Sequence, residues 1–502
     1  MTLKDVVKDE FYIQIYEYYY NRGFTPILLT YICEIFSMLF GIMFFYFFIS
    51  IDWENILKCV DNNCGDISQY IISKPINFLN MCILLLSVTI FTYKIITFIP
   101  KIYKLNKIKN FYQNKLKIKH SNELCSLSWS TILRKITKIY NFYDMHDITN
   151  KIMKKENFMI ALIDKKIIDF QYPLFYTKQL ELNLKYILFS SSSNLKSRTL
   201  KFKFIAMGFL NLIFAFFIFL FQIIYFIIDN IDDFYSNKYV LGPRRYTILS
   251  RHKFRNYNEL PHYFENRINK SMKHSIEYIK QFESPVLTVL GKFLSILTGT
   301  FICFFVILSV LDESILLYVR YLDRTLLFYM GMVTALSSLS KSFVRSPEES
   351  IYDPNGVMKK VVEFTHYMPK RWEGKCNTYE VRNEFLMMFP YKIVIFIYDL
   401  ISVIVTPFIL FSLSKDTNSI ISFFDKYTVD DVSGKICSFA QKSKNSVDDK
   451  MKQSILNFDI NHSINDANDE NIDDEIDQED VIDIYNFVNG DENEELLSNY
   501  YN

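Results

Sequence analysis

The apolar residues of this chain are gathered into a few long blocks instead of recurring at helical or strand spacing. The clearest blocks span residues 25–50, 76–99, 204–228 and 285–311 of the 502 residues. A helix of about 20 apolar residues can cross a hydrocarbon core of about 30 Å, whereas the apolar blocks of buried soluble helices are usually shorter. The pattern therefore predicts an all-α integral membrane protein.

The charge around the first two blocks predicts that both of them cross the membrane. The loop between them, residues 51–75, has a net charge of −2, whereas residues 101–203 carry 21 Lys and Arg against 7 Asp and Glu. Loops rich in Lys and Arg remain in the cytosol. Residues 51–75 are therefore predicted to be luminal and residues 101–203 cytosolic. Lys94, near the end of the second block, is expected to extend its charge to the interface.

The third block, FIAMGFLNLIFAFFIFLFQIIYFII (204–228), has no charged residue, but both of its flanks are basic. Residues 229–284 carry ten Lys and Arg against seven acids, so a full crossing would place a basic segment in the lumen. The charge rule favours a re-entrant hairpin, which enters the membrane and returns to the same side.

Further along the chain, residues 285–311 and 325–343 predict two crossings that are joined by a short connection. The last block, residues 391–413, contains Asp399 and Pro407. A charged residue and a helix-breaking proline are tolerated at membrane depth where protein or water covers them. This block is therefore predicted to be a second re-entrant segment.

The resulting prediction has four transmembrane helices and two re-entrant segments, with a helical cytosolic region and both termini in the cytosol. Its segments are a short cytosolic N-terminus (1–24), two spans with their luminal loop (25–99), a cytosolic helical region (100–203), the first re-entrant segment (204–228), a basic cytosolic helical region (229–284), two further spans (285–345), a cytosolic region (346–390), the second re-entrant segment (391–413), a C-terminal core segment (414–441) and a tail (442–502). The tail is predicted to be disordered, because residues 459–502 carry 15 acids and no Lys or Arg.

Motifs of catalytic or nucleotide-binding chemistry are missing from the sequence. It contains neither G-x-x-x-x-G-K-[ST] nor G-x-G-x-x-G, so ATP-driven transport is not expected, and no G-x-S-x-G suggests a lipase. The eight cysteines and seven histidines show no zinc-binding spacing. We therefore expect no enzyme activity and no cofactor.

The basic segments could indicate nucleic acid, but beside membrane spans they indicate the cytosolic side and contact with anionic headgroups. On this interpretation Arg244, Arg251 and Arg255 are candidate headgroup contacts, and no nucleic-acid partner is expected. Cys59 and Cys64 share the luminal loop, where a disulfide and two free thiols are both compatible with the sequence.

Polar residues inside the apolar blocks are the candidates for a lipid path. They are Glu34 in the first span, Lys292 in the third, and the hydroxyl residues Thr334, Ser337 and Ser338 in the run GMVTALSSLS (331–340). A groove lined by such groups would lower the cost of moving a charged headgroup through hydrocarbon. The alternatives are that Lys292 reaches the interface, that Glu34 pairs with a neighbour, and that the small residues pack helices closely.

Several stretches resemble the autophagy-related protein 9 family, in the order in which they occur in that family. They are FYIQIYEYYYNRGFTPILLTYICEIF (11–36), DITNKIMKKENFMIALIDKK (147–166), LGPRRYTILSRHKFRNYNELPHYFENRINKS (241–271), SPVLTVLGKFLSILTG (284–299), HYMPKRWEG (366–374), FPYKIVIFIYDLISVIVTPFIL (389–410) and ISFFDKYTVDDVSGKICSFAQ (421–441). The resemblance covers residues 10–441, nearly the whole of the predicted folded part.

The resemblance implies a homotrimer whose protomers each have four transmembrane helices and two partly embedded helices, in agreement with the charge-based topology. It also implies a passive phospholipid scramblase on Golgi- and endosome-derived vesicles that seed the autophagosome at the phagophore assembly site. The implied partners are the phospholipid membrane, autophagy-related protein 2, which delivers lipid, and the autophagy initiation machinery. Two alternatives remain, a trimeric scaffold that moves no lipid and a channel or solute carrier, and missing inverted repeats count against the latter.

Overall fold

The computed structural model describes residues 9–52, 78–139, 143–168, 175–190, 196–229, 243–282, 285–322, 324–341, 352–431, 434–442 and 449–463. Within these residues the α-helices are, in chain order, α1 (Asp9–Tyr20), α2 (Phe24–Ser50), α3 (Phe78–Asn114), α4 (Ser121–Ser126), α5 (Trp129–Ile139), α6 (Met145–Asp164), α7 (Lys178–Phe189), α8 (Ser197–Ile213), α9 (Ala215–Asp229), α10 (Ile248–Phe254), α11 (Pro261–Lys280), α12 (Pro285–Leu311), α13 (Glu313–Tyr318), α14 (Leu326–Lys341), α15 (Pro354–Thr365), α16 (Tyr379–Met388), α17 (Lys392–Leu413), α18 (Thr417–Tyr427) and α19 (Asp449–Ser463). Two small sheets pair β1 (Arg320–Tyr321) with β2 (Arg324–Thr325) and β3 (Thr428–Asp431) with β4 (Gly434–Cys437). The predicted helical class is confirmed over this part of the chain.

Three stretches of the described helices are long and apolar enough to cross a membrane: Phe24–Phe44, Thr288–Leu311 and Lys392–Leu413. A fourth is counted if α8 and α9, which are bent by 68° relative to each other, form one broken span. Helix α14, which the sequence predicts as a span, has 16 residues and thus a length of about 24 Å. The predicted number of four crossings therefore stays a prediction.

The chain divides into two compact units, the first built mainly from residues up to Ile152 and the second from Met153 onwards. The first unit has an aromatic core, in which Phe11 and Tyr18 of α1 lie against Phe111 and Tyr112 of α3, with ring centroids 5.2 and 4.6 Å apart. The hydroxyl of Tyr112 also donates to the carbonyl of Ile15 at 2.9 Å. Such ring contacts add about 0.5–1.5 kcal/mol each beyond area burial. Helix α1 thereby holds in place the basic extension of α3, residues 101–114, which follows the apolar part of that helix.

Two hydrophobic clusters occur among the described residues of the second unit. The first joins α6, α7, α8, α17 and α18, and the predicted C-terminal core segment 414–441 contributes Ile420, Phe423, Cys437 and Ala440 to it. The second joins α11, α15 and α16 around the buried side chains of Trp372 and Phe389.

A two-helix hairpin is present where the sequence predicts one, over residues 285–345. Helices α12 and α14 pack against each other, and α13 with the β1–β2 pair forms the connection between them. The connection is short because the register pairs Tyr321 with Arg324, which leaves two residues at its tip.

The second predicted re-entrant segment, residues 391–413, is one continuous helix, α17, with Pro407 inside it. Helix α17 packs against α7, α8 and α9, and Ser402, Thr406 and Pro407 are buried. Protein therefore covers the face on which the proline removes a backbone hydrogen bond. The re-entrant course of this segment stays a prediction.

The predicted disorder of residues 442–502 is wrong for α19, which lies inside that range. The hydroxyl of Ser454 accepts a hydrogen bond from the backbone N–H of Tyr257 at 3.0 Å, and Lys450 donates to the carbonyl of Lys253 at 3.1 Å. Met451 packs against the first core cluster of the second unit. The average composition of the tail hides this local apolar contact, because most of the acids follow α19. Residues 464–502 lie outside the described part of the chain.

Candidate functional site

An ion pair joins the two helices of the first predicted membrane hairpin. The ammonium group of Lys94 on α3 lies 3.0 Å from the carboxylate of Glu34 on α2, and the two side chains are 44% and 50% exposed. Glu34 is ten residues after Phe24, or about 15 Å along α2, which is near the middle of a hydrocarbon core of about 30 Å. The expectation that Lys94 extends to the interface is thus replaced by pairing within the apolar segment.

The hairpin of α12 and α14 carries the other lipid-path candidates, and the structure divides them between two faces. Ser337 is buried together with Ser340 and Thr298, which agrees with close packing of small residues. Lys292 and Thr334 are exposed, and Ser338 is half-buried. The hydroxyl of Thr334 donates to the carbonyl of Met330 at 2.7 Å, which leaves its oxygen able to accept a bond from outside.

The three arginines that are candidate headgroup contacts all have partners within the protein. The guanidinium of Arg244 lies 3.6 Å from the ring centroid of Tyr391. Arg251 forms an ion pair with Glu265, and Arg255 lies 3.5 Å from the carboxylate of Glu156. The sequence does not indicate these partners, because Tyr391 and Glu156 are far from the arginines along the chain.

A buried charged cluster, which the local sequence does not indicate, surrounds Glu181. Its carboxylate lies 2.9 Å from the ammonium of Lys185 and 3.2 Å from Nε2 of His252, and Lys185 also contacts Glu156 at 2.6 Å. Burial alone would raise the pKa of Glu181, but the hydrogen bond of His252 and the charge of Lys185 outweigh it and hold this pKa well below its usual value.

The cluster is best explained as structural. Burial lowers the pKa of His252, so the ring is neutral at neutral pH and Nε2 donates to the carboxylate. The cluster lines a cavity of about 260 Å³ together with Lys178, Arg251 and Glu265, so cations and acids nearly balance there. No group of three or more His, Cys, Asp or Glu that could hold a metal ion occurs among the described residues.

A second polar centre joins two of the stretches that carry the family resemblance. Asn258 has a positive φ of 57°, a conformation that Asn tolerates better than most residues. Its side chain donates to the carbonyl of Ala440 at 3.0 Å and accepts from the amide of Asn157 at 2.7 Å. The stretches 241–271 and 421–441 therefore meet at this residue, and this contact across 182 positions cannot be derived from local sequence.

Asn211 and Gln222 lie on opposite sides of the bend at Phe214, and both contact the same residue of α7, Gln179. Gln179 donates to the side-chain oxygen of Asn211 at 2.8 Å, and Gln222 donates to the oxygen of Gln179 at 3.4 Å. In a straight helix these two amides would be about 16 Å apart along the axis. The shared partner favours the re-entrant interpretation of residues 204–228, which stays a prediction.

Cys59 and Cys64, the candidates for a luminal disulfide, lie outside the described residues. Each of the other predicted site residues is placed in one of the two units, Glu34 in the first and the remaining candidates in the second.

Comparison with known proteins gives one consistent result. A family model described as autophagy protein ATG9 matches residues 4–442. The chain is 32% identical over 452 residues to autophagy-related protein 9 of Dictyostelium discoideum, covering 84% of this chain and 64% of that protein. It is 29% identical over 488 residues to autophagy-related protein 9 of Arabidopsis thaliana, covering 86% of this chain and 56% of that protein. The chain thus spans less than two thirds of the length of these relatives.

The architecture is also similar to a solved structure, the cryo-EM structure of Schizosaccharomyces pombe Atg9. The two share 27% sequence identity and a TM-score of 0.65, and the match covers 87% of this chain and 98% of that chain.

Proposed function

Because the chain belongs to the autophagy protein ATG9 family, we propose that it is a passive phospholipid scramblase that equilibrates lipids between leaflets as the autophagosome expands. It works without ATP, without a cofactor and without catalysing a chemical reaction. The alternative within the same family is a membrane scaffold that recruits the autophagy machinery without moving lipid.

One observation carries the proposal, the half-exposed ion pair of Glu34 and Lys94 inside an apolar helix pair. A single charged side chain at the centre of a bilayer costs about 2.5–3.5 kcal/mol on insertion scales, and more in simulations. The cost falls where water or headgroups reach the charge. An ion pair with this exposure at this depth is therefore suited to a hydrated path along which a zwitterionic headgroup can exchange partners.

The outer face of the α12–α14 hairpin supports the same proposal. Lys292 follows about two helical turns of mostly apolar residues in α12, and the exposed Thr334 offers an acceptor oxygen within the apolar part of α14. The buried Ser337 and Ser340, by contrast, favour packing of the hairpin itself. The scaffold alternative is consistent with these two serines but does not explain the exposed polar groups.

The assembly and location that we propose follow from the family resemblance. The protein is a homotrimer in Golgi- and endosome-derived vesicles and in preautophagosomal and autophagosomal membranes, with both termini in the cytosol. It acts beside a lipid-transfer protein of the autophagy-related protein 2 type and the autophagy initiation machinery. No nucleic acid is involved.

The test is a scrambling assay with the purified full-length protein in sealed liposomes that contain a fluorescent phospholipid. An impermeant quencher is added without ATP. With the wild type, the loss of fluorescence is expected to exceed the share of the probe that starts in the outer leaflet. Replacing both Glu34 and Lys94 by Leu is expected to slow scrambling at least about tenfold. The fold should survive, because the half-exposed pair is replaced by leucines, which are favourable in a membrane-spanning helix.

The matched control replaces the exposed pair of Lys104 and Glu10, 2.9 Å apart and on α3 and α1 of the same unit, by Gln at both positions. This variant should scramble at the wild-type rate. Replacing Thr334 and Ser338 by Leu tests the second polar face, and it should slow scrambling while the oligomeric state in detergent is unchanged. Quenching of the wild type that stops at the outer-leaflet share contradicts the proposal and favours the scaffold.

A further inference from the structure

A small polar cavity lies at the end of the first candidate span. Its volume is about 210 Å³, and its walls come from the turn between α1 and α2, the basic extension of α3 and the segment that leads into α4. The residues that matter for its chemistry are Thr25, Lys109, Gln113, Lys119, His120 and Ser121. All of them belong to the first unit.

The backbone between α1 and α2 shapes the cavity. Gly23 has a φ of 99° and donates its N–H to the carbonyl of Tyr18 at 2.9 Å, which turns the chain directly into α2. A side chain there would be strained by this φ, and its Cβ would lie 3.4 Å from the hydroxyl of Ser121. The turn thus brings Gly23 next to a hydroxyl from a segment almost a hundred residues later, and Thr25 and Ser121 line the same cavity.

The depth of the cavity corresponds to the headgroup layer. Phe24 is the first residue of the candidate span Phe24–Phe44 and also lines the cavity. The ammonium of Lys109 lies 4.7 Å from the ring centroid of Phe24, so its charge is held at the boundary between the apolar segment and the polar surface. Cationic side chains at this boundary attract anionic lipids.

The charge of the cavity is positive and is not balanced from within. Among the described residues that line it, none carries a carboxyl group, and neither Lys109 nor Lys119 forms an ion pair with another described residue. The nearest acid along the chain, Glu123, accepts from the backbone N–H groups of Lys119 at 2.9 Å and of His120 at 3.4 Å. The charges of Lys119 and His120 also act on this carboxylate, but no ion pair joins it to the ammonium group of Lys119 in the described part of the chain.

A second cavity in the same unit shows the contrast. It is lined by Lys101 and Lys104 but also by Glu10 and Glu17, and Lys104 lies 2.9 Å from the carboxylate of Glu10. Cations there are neutralised by acids. The excess positive charge is therefore a property of the Lys109–Lys119 cavity and not of every polar cavity in this unit.

We propose that the cavity of Lys109, Lys119 and His120 binds the phosphomonoester of a phosphorylated inositol lipid. A phosphomonoester carries a charge of about −1.5 to −2 and three strong acceptor oxygens, which suits two lysines together with the hydroxyls of Thr25 and Ser121. The phosphodiester of an ordinary phospholipid has a single negative charge and fewer free oxygens. The site selects membranes that contain such lipids, and it is independent of the proposed scrambling.

The test measures binding of short-chain phosphatidylinositol monophosphate to the full-length protein in detergent, with short-chain phosphatidylinositol and the soluble inositol phosphate as comparisons. The monophosphate lipid is expected to bind at least about tenfold more tightly than phosphatidylinositol, since a charge-assisted hydrogen bond is worth about that factor. Replacing Lys109 and Lys119 together by Gln should remove this difference, and replacing both by Arg should retain it.

The matched control replaces Lys101 and Lys107 by Gln, which removes the same amount of charge from α3, the helix of Lys109, but not from this cavity. Its binding should equal that of the wild type, with folding of all variants checked by size exclusion and melting temperature. Three outcomes overturn the proposal: equal affinity for both lipids, equal loss in the control variant, or a soluble inositol phosphate that binds as tightly as its lipid. The measurement does not depend on whether the protein scrambles lipids.

Discussion

At the residue scale, Arg267 organises the centre of the second unit. Its guanidinium donates to both carboxylate oxygens of Glu259, at 2.8 and 2.7 Å, and to the carbonyl of Phe254 at 2.8 Å. The side chain of Glu259 is only 2% exposed, and its carboxylate also accepts from the backbone N–H of Asn256 at 3.0 Å. One buried pair thus joins the end of α10 to α11, within the stretch that resembles the autophagy-related protein 9 family.

Replacing Arg267 by Met should lower the free energy of unfolding by about 3–5 kcal/mol, because it leaves the Glu259 carboxylate buried without its cation. The measurement is thermal unfolding of the purified protein in detergent. The control is Arg371→Met: Arg371 lies 3.0 Å from Glu384 but is 70% exposed, and a surface pair of this kind contributes about 0–1 kcal/mol. Equal destabilisation by the two substitutions would contradict a structural role specific to the buried pair.

At the element scale, the apolar helices α8 and α17 approach each other closely at Gly208. A Cβ atom at this position would overlap the ring of Phe411 on α17. The ring of Phe209 lies next to the same phenylalanine, with centroids 5.2 Å apart. The absence of a side chain at Gly208 therefore sets how closely the bent pair α8–α9 can pack on α17.

Gly208→Val should destabilise the protein by about 1–3 kcal/mol through overpacking, and it should move α8 away from α17. Gly299→Val is the matched control, since Gly299 also lies in an apolar helix but a Cβ atom there would meet no described atom within 4 Å. The control should leave the melting temperature unchanged or raise it slightly, because Gly is a poor helix former. A tolerated Gly208→Val would show that Phe411 can rotate away at little cost.

At the scale of the whole molecule, the course of residues 204–228 decides on which side of the membrane α11 lies. The shared contact of Asn211 and Gln222 with Gln179 supports a segment that returns to the side from which it came. On this course residues 229–284 are expected to lie in the cytosol with residues 101–203, as their basic charge indicates.

The sequence contains two N-glycosylation sequons, Asn269-Lys270-Ser271 and Asn461-His462-Ser463, and both should therefore carry no glycan when the protein is expressed in eukaryotic cells. The measurement is the mobility of the protein before and after endoglycosidase treatment. Gly65→Thr supplies the positive control, since it creates the sequon Asn63-Cys64-Thr in the predicted luminal loop, where a glycan is expected. A glycan on Asn269 would mean that residues 204–228 cross the membrane.

The charged residues show which features can be inferred from local sequence and which cannot. The basic composition of residues 229–284 indicates a cytosolic segment, but it also suggested that Arg251 and Arg255 face lipid headgroups. In the fold Arg255 lies beside Glu156, and Arg251 pairs with Glu265. Charge counts along a chain contain no information on which acids the tertiary structure brings to each cation.

The sequence by itself determined the helical class, the apolar blocks, the α12–α14 hairpin and the family resemblance, because hydropathy, loop charge and motif order are properties of contiguous residues. Only the tertiary structure decided that Lys94 pairs with Glu34, that Ser337 is buried while Thr334 is exposed, and that α19 packs on the second unit. Those facts depend on which distant residues meet, and the free energy of a buried or embedded polar group is set by those partners and not by its sequence neighbours.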